Sequence, residues 1–142
     1  MIAESRVHSA LSTAQYLEMR LAYEVDVLDV EVGLKAGSFV VLDTRKQASW
    51  DHGHVPGAIH FPADALHGDV SDRLPAGTEV VVYGWGPGCN GGTRTAAALA
   101  ELGYSVREMI GGFEYWCRSG MIVDSSTGSQ RHWPDPLVTA DS

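Results

Sequence analysis

The stretch that most restricts the possible folds runs from Val80 to Tyr104. It opens on the apolar run Val80 to Tyr83, which reads as a buried parallel strand. A loop follows that carries Gly84, Gly86, Gly88, Gly91 and Gly92. The alanine-rich segment that continues to Leu102 is then a helix, stopped at Gly103. In such a unit, backbone N–H groups converge on an anion or a developing negative charge, helped by the positive end of the helix. Cys89 lies in this loop and Arg94 just beyond it. A cysteine among convergent amides, with a guanidinium close by, is expected to act as a nucleophile. The same pattern also serves plain tight turns, and a lone cysteine is often a small buried hydrophobe, so the loop alone leaves both roles open. It is not a nucleotide-binding P-loop, because no Lys-Ser/Thr pair follows and Pro87 breaks any GxGxxG run.

A chain of 142 residues fits one domain whose core needs no disulfide or metal. Its 10 Lys and Arg against 18 Asp and Glu, a net charge of −8, leave no basic cluster to neutralise phosphates, which argues against a nucleic-acid partner. There is no basic-then-apolar leader and no long apolar run, so a soluble, unexported, cytoplasmic protein without a membrane partner is expected. The 2 cysteines, Cys89 and Cys117, make neither a disulfide scaffold nor a zinc site.

Upstream, Ser12 starts a helix with Gln15 completing a capping box and Leu11 and Tyr16 forming a hydrophobic staple. Ala14, Leu17 and Leu21 recur on one face, so the helix should lie against a neighbour. Val25 to Leu34 reads as a short extended piece and a short helix capped by Asp26 or Asp29 and ended by Gly37. Phe39 to Leu42 reads as an inner strand, with Asp43, Thr44 and Arg45 at its C-terminal end, where open α/β sheets bind ligands. Asp43 is read as a turn cap or a partner of Arg45 rather than a catalytic group.

In DHGHVPGAIHFP, Gly53, Pro56 and Gly57 make a rigid turn, and Ala58 to Phe61 a short strand ended by Pro62. His52, His54 and His60 have the wrong spacing for a metal, and His54 is expected to donate to a loop carbonyl. Ala63 to Leu74 reads as a broken helix over one sheet face. Val106 to Ile110 is a further strand, and Phe113 to Arg118 a short helix ended by Gly120. Phe113 and Trp116 share its buried face. Tyr115 is the more exposed aromatic and Cys117 a packing residue. Beyond Asp124 the chain is rich in Ser, Thr, Gly and Pro, without apolar period.

FVVLDTR at Phe39, GHVPGAIHFP at Gly53, the VVYG…TRTAAALAELGY stretch and VREMIGGFEYW ending at Trp116 together resemble a single-domain rhodanese, a sulfurtransferase-like family. The segment Ser12 to Leu34 and the GPGCNG loop are similar to a subgroup of that family. The resemblance implies a three-layer α/β fold, a central parallel sheet of about five strands between helices. It also implies one domain over residues 1–123, including the N-terminal helical segment, followed by a polar tail at 124–142. The implied reaction moves a sulfane sulfur from a small donor such as thiosulfate to a thiol or cyanide acceptor through a cysteine persulfide, with no cofactor and no metal. Carried onto this chain, it makes Cys89 and Arg94 catalytic and Asn90, Gly91, Gly92 and Thr93 the anion cradle. Trp85 and Tyr115 become pocket walls, and Asp43, Arg45 and His54 supports. The family's usual cysteine directly follows the strand, where this chain has Gly84, and its usual arginine falls on Gly91. The sulfur carrier is therefore either displaced to Cys89 or missing, and in the second case the domain is a binding or regulatory module. A phosphatase also uses a cysteine, an amide cradle and an arginine. CNGGTR lacks its longer spacing, and no acid for the leaving group is evident.

Overall fold

The computed structural model describes residues 11–131. Helix α1, Thr13–Tyr23, begins with the expected reciprocal cap: Ser12 Oγ accepts from the Gln15 amide at 3.1 Å and Gln15 Oε1 from the Ser12 amide at 2.9 Å. It leads into β1, Glu24–Val25, and helix α2, Val27–Ala36, capped by Asp26 and closed by Gly37 at φ +69°. Next come β2, Val40–Asp43, helix α3, Gln47–His52, and β3, Ile59–His60. Two 3₁₀ turns, Ala63–Leu66 and Val70–Asp72, lead to β4, Glu79–Tyr83. Helix α4, Gly91–Glu101, then β5, Ser105–Met109, and helix α5, Gly112–Arg118, complete the α/β part. Strands β6, Val123–Ser125, and β7, Gly128–Gln130, form a small antiparallel hairpin.

The 5-stranded sheet has the order β1-β5-β4-β2-β3 and every pairing in it is parallel. The expected strands are all present, and the fifth is the short piece at Val25, pairing Val25 with Met109. Period-2 alternation sends side chains to two cores, which is the three-layer arrangement. Val41, Val81, Tyr83 and Met109 pack with Val30 of α2 and with Phe113 and Trp116 of α5. Leu42, Val80 and Val82 face the other way, onto Leu99 of α4 and Val70 and Leu74 of the second 3₁₀ turn and its end.

One expectation changes in the structure, and two features add to what the sequence shows. Helix α1 buries none of its residues, and Leu21 is 80% exposed, so Ala14, Leu17 and Leu21 do not seat three turns on the domain. Among the described residues the helix meets the sheet only at its edge, against β5 and the two-residue strand β1, which offers too little surface to cover an apolar stripe. The segment Gln47–His52 has no apolar periodicity and was not readable as a helix. Tertiary contacts hold it, Trp50 stacking on His54 at 3.5 Å and on His60 at 4.9 Å. Finally, part of the expected tail is structured. The His54 and Asp124 backbones exchange two hydrogen bonds, although no residue from Asp124 to Arg131 is buried. Trp133, Leu137 and the rest of that tail lie outside the described residues, as do residues 1–10.

The C-terminal ends of β2 and β4 are joined by one buried network. Arg45 grips Asp43 through Nε and through an Nη2–Oδ2 contact of 2.7 Å, and Nη2 also donates to the Gly53 carbonyl. The Tyr83 hydroxyl donates to Asp43 Oδ2 at 2.5 Å and accepts from the Val55 amide at 3.1 Å. Asp43 Oδ1 accepts from the Arg45 amide, the turn-capping role read from the sequence. Arg45 Cζ lies 4.0 Å from the Phe113 ring centroid. Burial by itself would lower the Arg45 pKa, but the hydrogen bond and charge of Asp43 hold it above its ordinary value. Burial first, and Asp43 second, push the Tyr83 hydroxyl well above the usual tyrosine value, so it stays protonated and donates.

Truncating one member of this network leaves the others unpaired in a dry interior. Tyr83→Phe should cost about 1–3 kcal/mol, the desolvation of an orphaned partner. Arg45→Met, which strands the Asp43 carboxylate, should cost about 3–5 kcal/mol. Urea unfolding of the two variants should rank them in that order, and equal or negligible losses would show that the network does not carry the junction.

Candidate active site

The loop between β4 and α4 is shaped by contacts with backbone on both sides. At its start, the Thr44 amide and hydroxyl both donate to the Tyr83 carbonyl, at 3.1 and 2.9 Å. The Gly84 and Trp85 carbonyls accept from the Phe113 and Glu114 amides, at 2.9 and 2.7 Å. This consumes the carbonyls on the α5 side. Close approach there requires glycine at position 112: its φ is +61°, and a β-carbon would stand 2.6 Å from the Gly84 oxygen. Further on, the Cys89 amide donates to the Gly86 carbonyl at 3.1 Å, closing residues 86–89 into a local turn.

That turn brings Cys89 back to the end of β4. Its Sγ lies 4.0 Å from the point a β-carbon on Gly84 would occupy. The Gly91 amide donates to Sγ at 3.4 Å, from the first turn of α4, where amides have no acceptor within the helix. Gly92 packs directly on the strand end: a β-carbon there would meet the Gly84 nitrogen at 3.0 Å and the Tyr83 carbonyl carbon at 3.2 Å. Asn90 is the N-cap residue of α4, and Gly91, Gly92 and Thr93 make its first turn, with the Gly91 amide on the sulfur. Cys89 is half-buried.

The remaining candidate residues fall in different places. Trp85 lines a cavity of about 740 Å³ together with Cys89, Asn90 and Thr93. Tyr115 is exposed, packs beside Gly111 and is not among the residues lining that cavity. Arg94 is exposed and its Nε donates to Asn90 Oδ1 at 3.2 Å, one turn back along the helix. It too lies outside the cavity lining. Asp43 and Arg45 stand behind the loop in the network described above. His54 Nδ1 lies 2.8 Å from the Trp50 carbonyl, which can only accept, so Nδ1 carries the proton. The acceptor is a carbonyl of α3 rather than of a loop. Among the described residues no cluster of His, Cys, Asp and Glu could hold a metal ion.

One residue of the site is invisible to local sequence reading. From Gly84 to Arg94 the chain has no acid, so nothing in that segment opposes an anionic ligand. In space, Glu108 of β5 supplies one. Its carboxylate accepts from the Thr93 hydroxyl at 2.8 and 3.0 Å and lines the cavity with Cys89. Parallel pairing of β4 with β5 puts Glu108 beside Val82. Only the register, not the local pattern, places an acid there.

Comparison with known proteins decides the family. A family model described as a rhodanese-like domain matches residues 13–119. The chain belongs to the rhodanese-like family. It is 32% identical over 93 residues to the thiosulfate sulfurtransferase GlpE of Actinobacillus succinogenes, covering 63% of this chain and 78% of that protein. It is 28% identical over 90 residues to the HTH-type transcriptional regulator Rv0324 of Mycobacterium tuberculosis, where the match spans only 39% of the regulator's length. The crystal structure of the BH2092 protein from Bacillus halodurans superposes with a TM-score of 0.75 at 34% identity, over 85% of this chain and 91% of that one. In this rhodanese-like domain the thiol of the loop after β4 is that of Cys89.

The two thiols should behave differently. Burial pushes the Cys117 pKa up to about 12, partly offset by the charge of Arg45, and the side chain packs in the core. With iodoacetamide near neutral pH, the folded protein should take one label, on Cys89, and a second on Cys117 only after unfolding. Peptide mass mapping reads this directly, and rapid labelling of Cys117 in the native state would contradict the packing described.

Proposed function

We propose that this protein is a rhodanese-type sulfurtransferase in which Cys89 carries the sulfur. The observation that carries the proposal is the placement of Sγ at the end of β4, 4.0 Å from the β-carbon point of Gly84, with an α4 amide donated to it. The loop thus delivers a thiol to the strand end from a position five residues later than Gly84 in the chain. A thiol held there favours an active enzyme over a binding module that has lost its cysteine. The similarity to a thiosulfate sulfurtransferase supports the same reading. The GPGCNG loop is the mark of the subgroup to which we assign the chain.

In the proposed cycle, the Cys89 thiolate attacks the outer sulfur of a small donor such as thiosulfate. The donor's S–S bond breaks, its electron pair leaves with sulfite, and a Cys89 persulfide remains. The amides of Asn90, Gly91, Gly92 and Thr93 stabilise the anionic sulfur as preorganised dipoles. Arg94 adds positive charge to that end of α4 and steadies Asn90. Trp85 forms a wall of the cavity, and Asp43, Arg45 and His54 keep the loop's foundations in place. A thiol or cyanide then removes the outer sulfur. The reaction needs no cofactor, and the setting we assign is the cytoplasm. We also assign residues 1–123 to the one rhodanese-like domain.

The test is thiosulfate:cyanide sulfurtransfer by the wild type, Cys89→Ser and Cys117→Ser, with intact mass as second readout. The wild type and Cys117→Ser should gain the mass of one sulfur atom on exposure to thiosulfate, and should turn over. Cys89→Ser should show neither. Turnover retained in Cys89→Ser would overturn the mechanism, and a wild type that never forms a persulfide with any of several donors would return the domain to the binding-module alternative.

A further inference from the structure

Gly84 and Cys89 stand between two cavities and line both. The loop after β4 is at the middle of the sheet, so one cavity opens over β5 and β1 and the other over β2 and β3. The smaller, of about 350 Å³, carries Lys46 and Asp64, whose charges offset, and Arg45, whose guanidinium is committed to Asp43 and Gly53. The larger, of about 740 Å³, carries Arg20, Glu24 and Glu108. Arg20 and Glu24 pair with each other at 3.1 Å. Glu108 accepts only from the neutral Thr93 hydroxyl and, among the described residues, has no ion pair. The other charges nearby are turned elsewhere: Arg94 to Asn90 and, beside Gly86, Glu114 to Arg118 at 2.8 Å. The larger cavity therefore presents one uncompensated carboxylate on the approach to the sulfur.

We infer that Glu108 selects a positively charged thiol as the acceptor that reaches Cys89 through the larger cavity. This rests on the sulfurtransferase reading. The acceptor thiolate attacks the outer sulfur of the Cys89 persulfide. The S–S bond to Sγ breaks, its electron pair returns to Cys89 as thiolate, and the new S–S bond makes the acceptor a persulfide. The acceptor's thiol proton goes to solvent, and no oxidant or reductant is consumed. An ammonium or guanidinium near the acceptor sulfur meets Glu108, whereas a neutral thiol gains nothing and an anionic one is repelled. Both a small aminothiol and a cysteine flanked by basic residues in a protein carry this chemistry.

The test uses the full chain with Cys117→Ser, so that Cys89 is the one thiol. Its rate of modification is measured with two methanethiosulfonates, one bearing a trimethylammonium and one a sulfonate, which needs no sulfurtransfer. Glu108→Gln should lower the cationic-to-anionic rate ratio about fivefold, the size expected for one charge a few ångströms away in a partly solvated site. Glu101→Gln, an equal charge change at the far end of α4, should leave the ratio unchanged. In sulfurtransfer, Glu108→Gln should lower kcat/KM for cysteamine relative to uncharged N-acetylcysteamine by a similar factor, mostly through KM. A Lys-Cys-Lys peptide that loses more than cysteamine assigns a protein-borne acceptor, and an equal loss assigns the small aminothiol. An unchanged ratio in Glu108→Gln, or an equal fall in Glu101→Gln, overturns the inference. A fall in the reagent ratio without any persulfide formation would leave the assignment of Glu108 standing while defeating the sulfurtransferase reading.

Discussion

The ion pair of Asp43 and Arg45, with the Tyr83 hydroxyl closing it, is the interaction on which the site's position depends. It is buried, and it ties together β2, β4, the turn at Gly53 to Val55 and the Phe113 ring. A buried ion pair of this kind is weak evidence for net stability, because removing two charges from water offsets most of their attraction. Its value here is geometric. Each partner has several hydrogen bonds with fixed directions, so the strand ends have one arrangement in which all are satisfied. The loop that carries Cys89 starts at Gly84, directly after Tyr83 of this junction, and inherits its precision.

The second constraint acts from the opposite side. Helix α5 presents its first amides to the Gly84 and Trp85 carbonyls, and the glycines at 84, 92 and 112 allow backbone to touch backbone. With those carbonyls occupied, the polar contact made to the sulfur is the Gly91 N–H. In the proposed cycle, anion binding would therefore follow from how the peptide planes are held rather than from a cluster of basic side chains. A net charge of −8 is compatible with such a local arrangement, which draws on no basic cluster.

Much of this was legible in the sequence because the informative residues act locally. Val80 to Tyr83 and Phe39 to Leu42 are apolar runs of strand length. Ser12 and Asp26 cap helices through partners three residues away, and Gly37 takes the left-handed turn that ends α2. Cys89 stood out for the same reason, being surrounded by glycines. What could not be read depended on distant partners. Helix α3 has no periodicity of its own and is held by the stacking of Trp50 on two histidines from the following turn and strand. The apolar face of α1 looked like a packing surface, yet among the described residues the helix meets the sheet only at its edge, at the two-residue strand β1 and at β5, and buries nothing there. Glu108 reads as one polar residue in a strand until the register sets it beside the helix N-terminus. Even the link between Cys89 and the strand end needed the Gly86–Cys89 turn, a contact that residue spacing along the chain does not reveal.

The bareness of Gly84 has one more consequence. A persulfide is longer than a thiol by a whole sulfur atom, and a pocket filled tightly around Cys89 would have no place for it. By lacking a side chain, Gly84 leaves a hollow next to Sγ, bordered by the Gly92 nitrogen, which lies 3.4 Å from the β-carbon point. Any larger residue at 84 would claim this hollow and stand between the sulfur and that amide. The position after the strand that lacks a cysteine would thus, in the proposed cycle, give the transferred sulfur its berth.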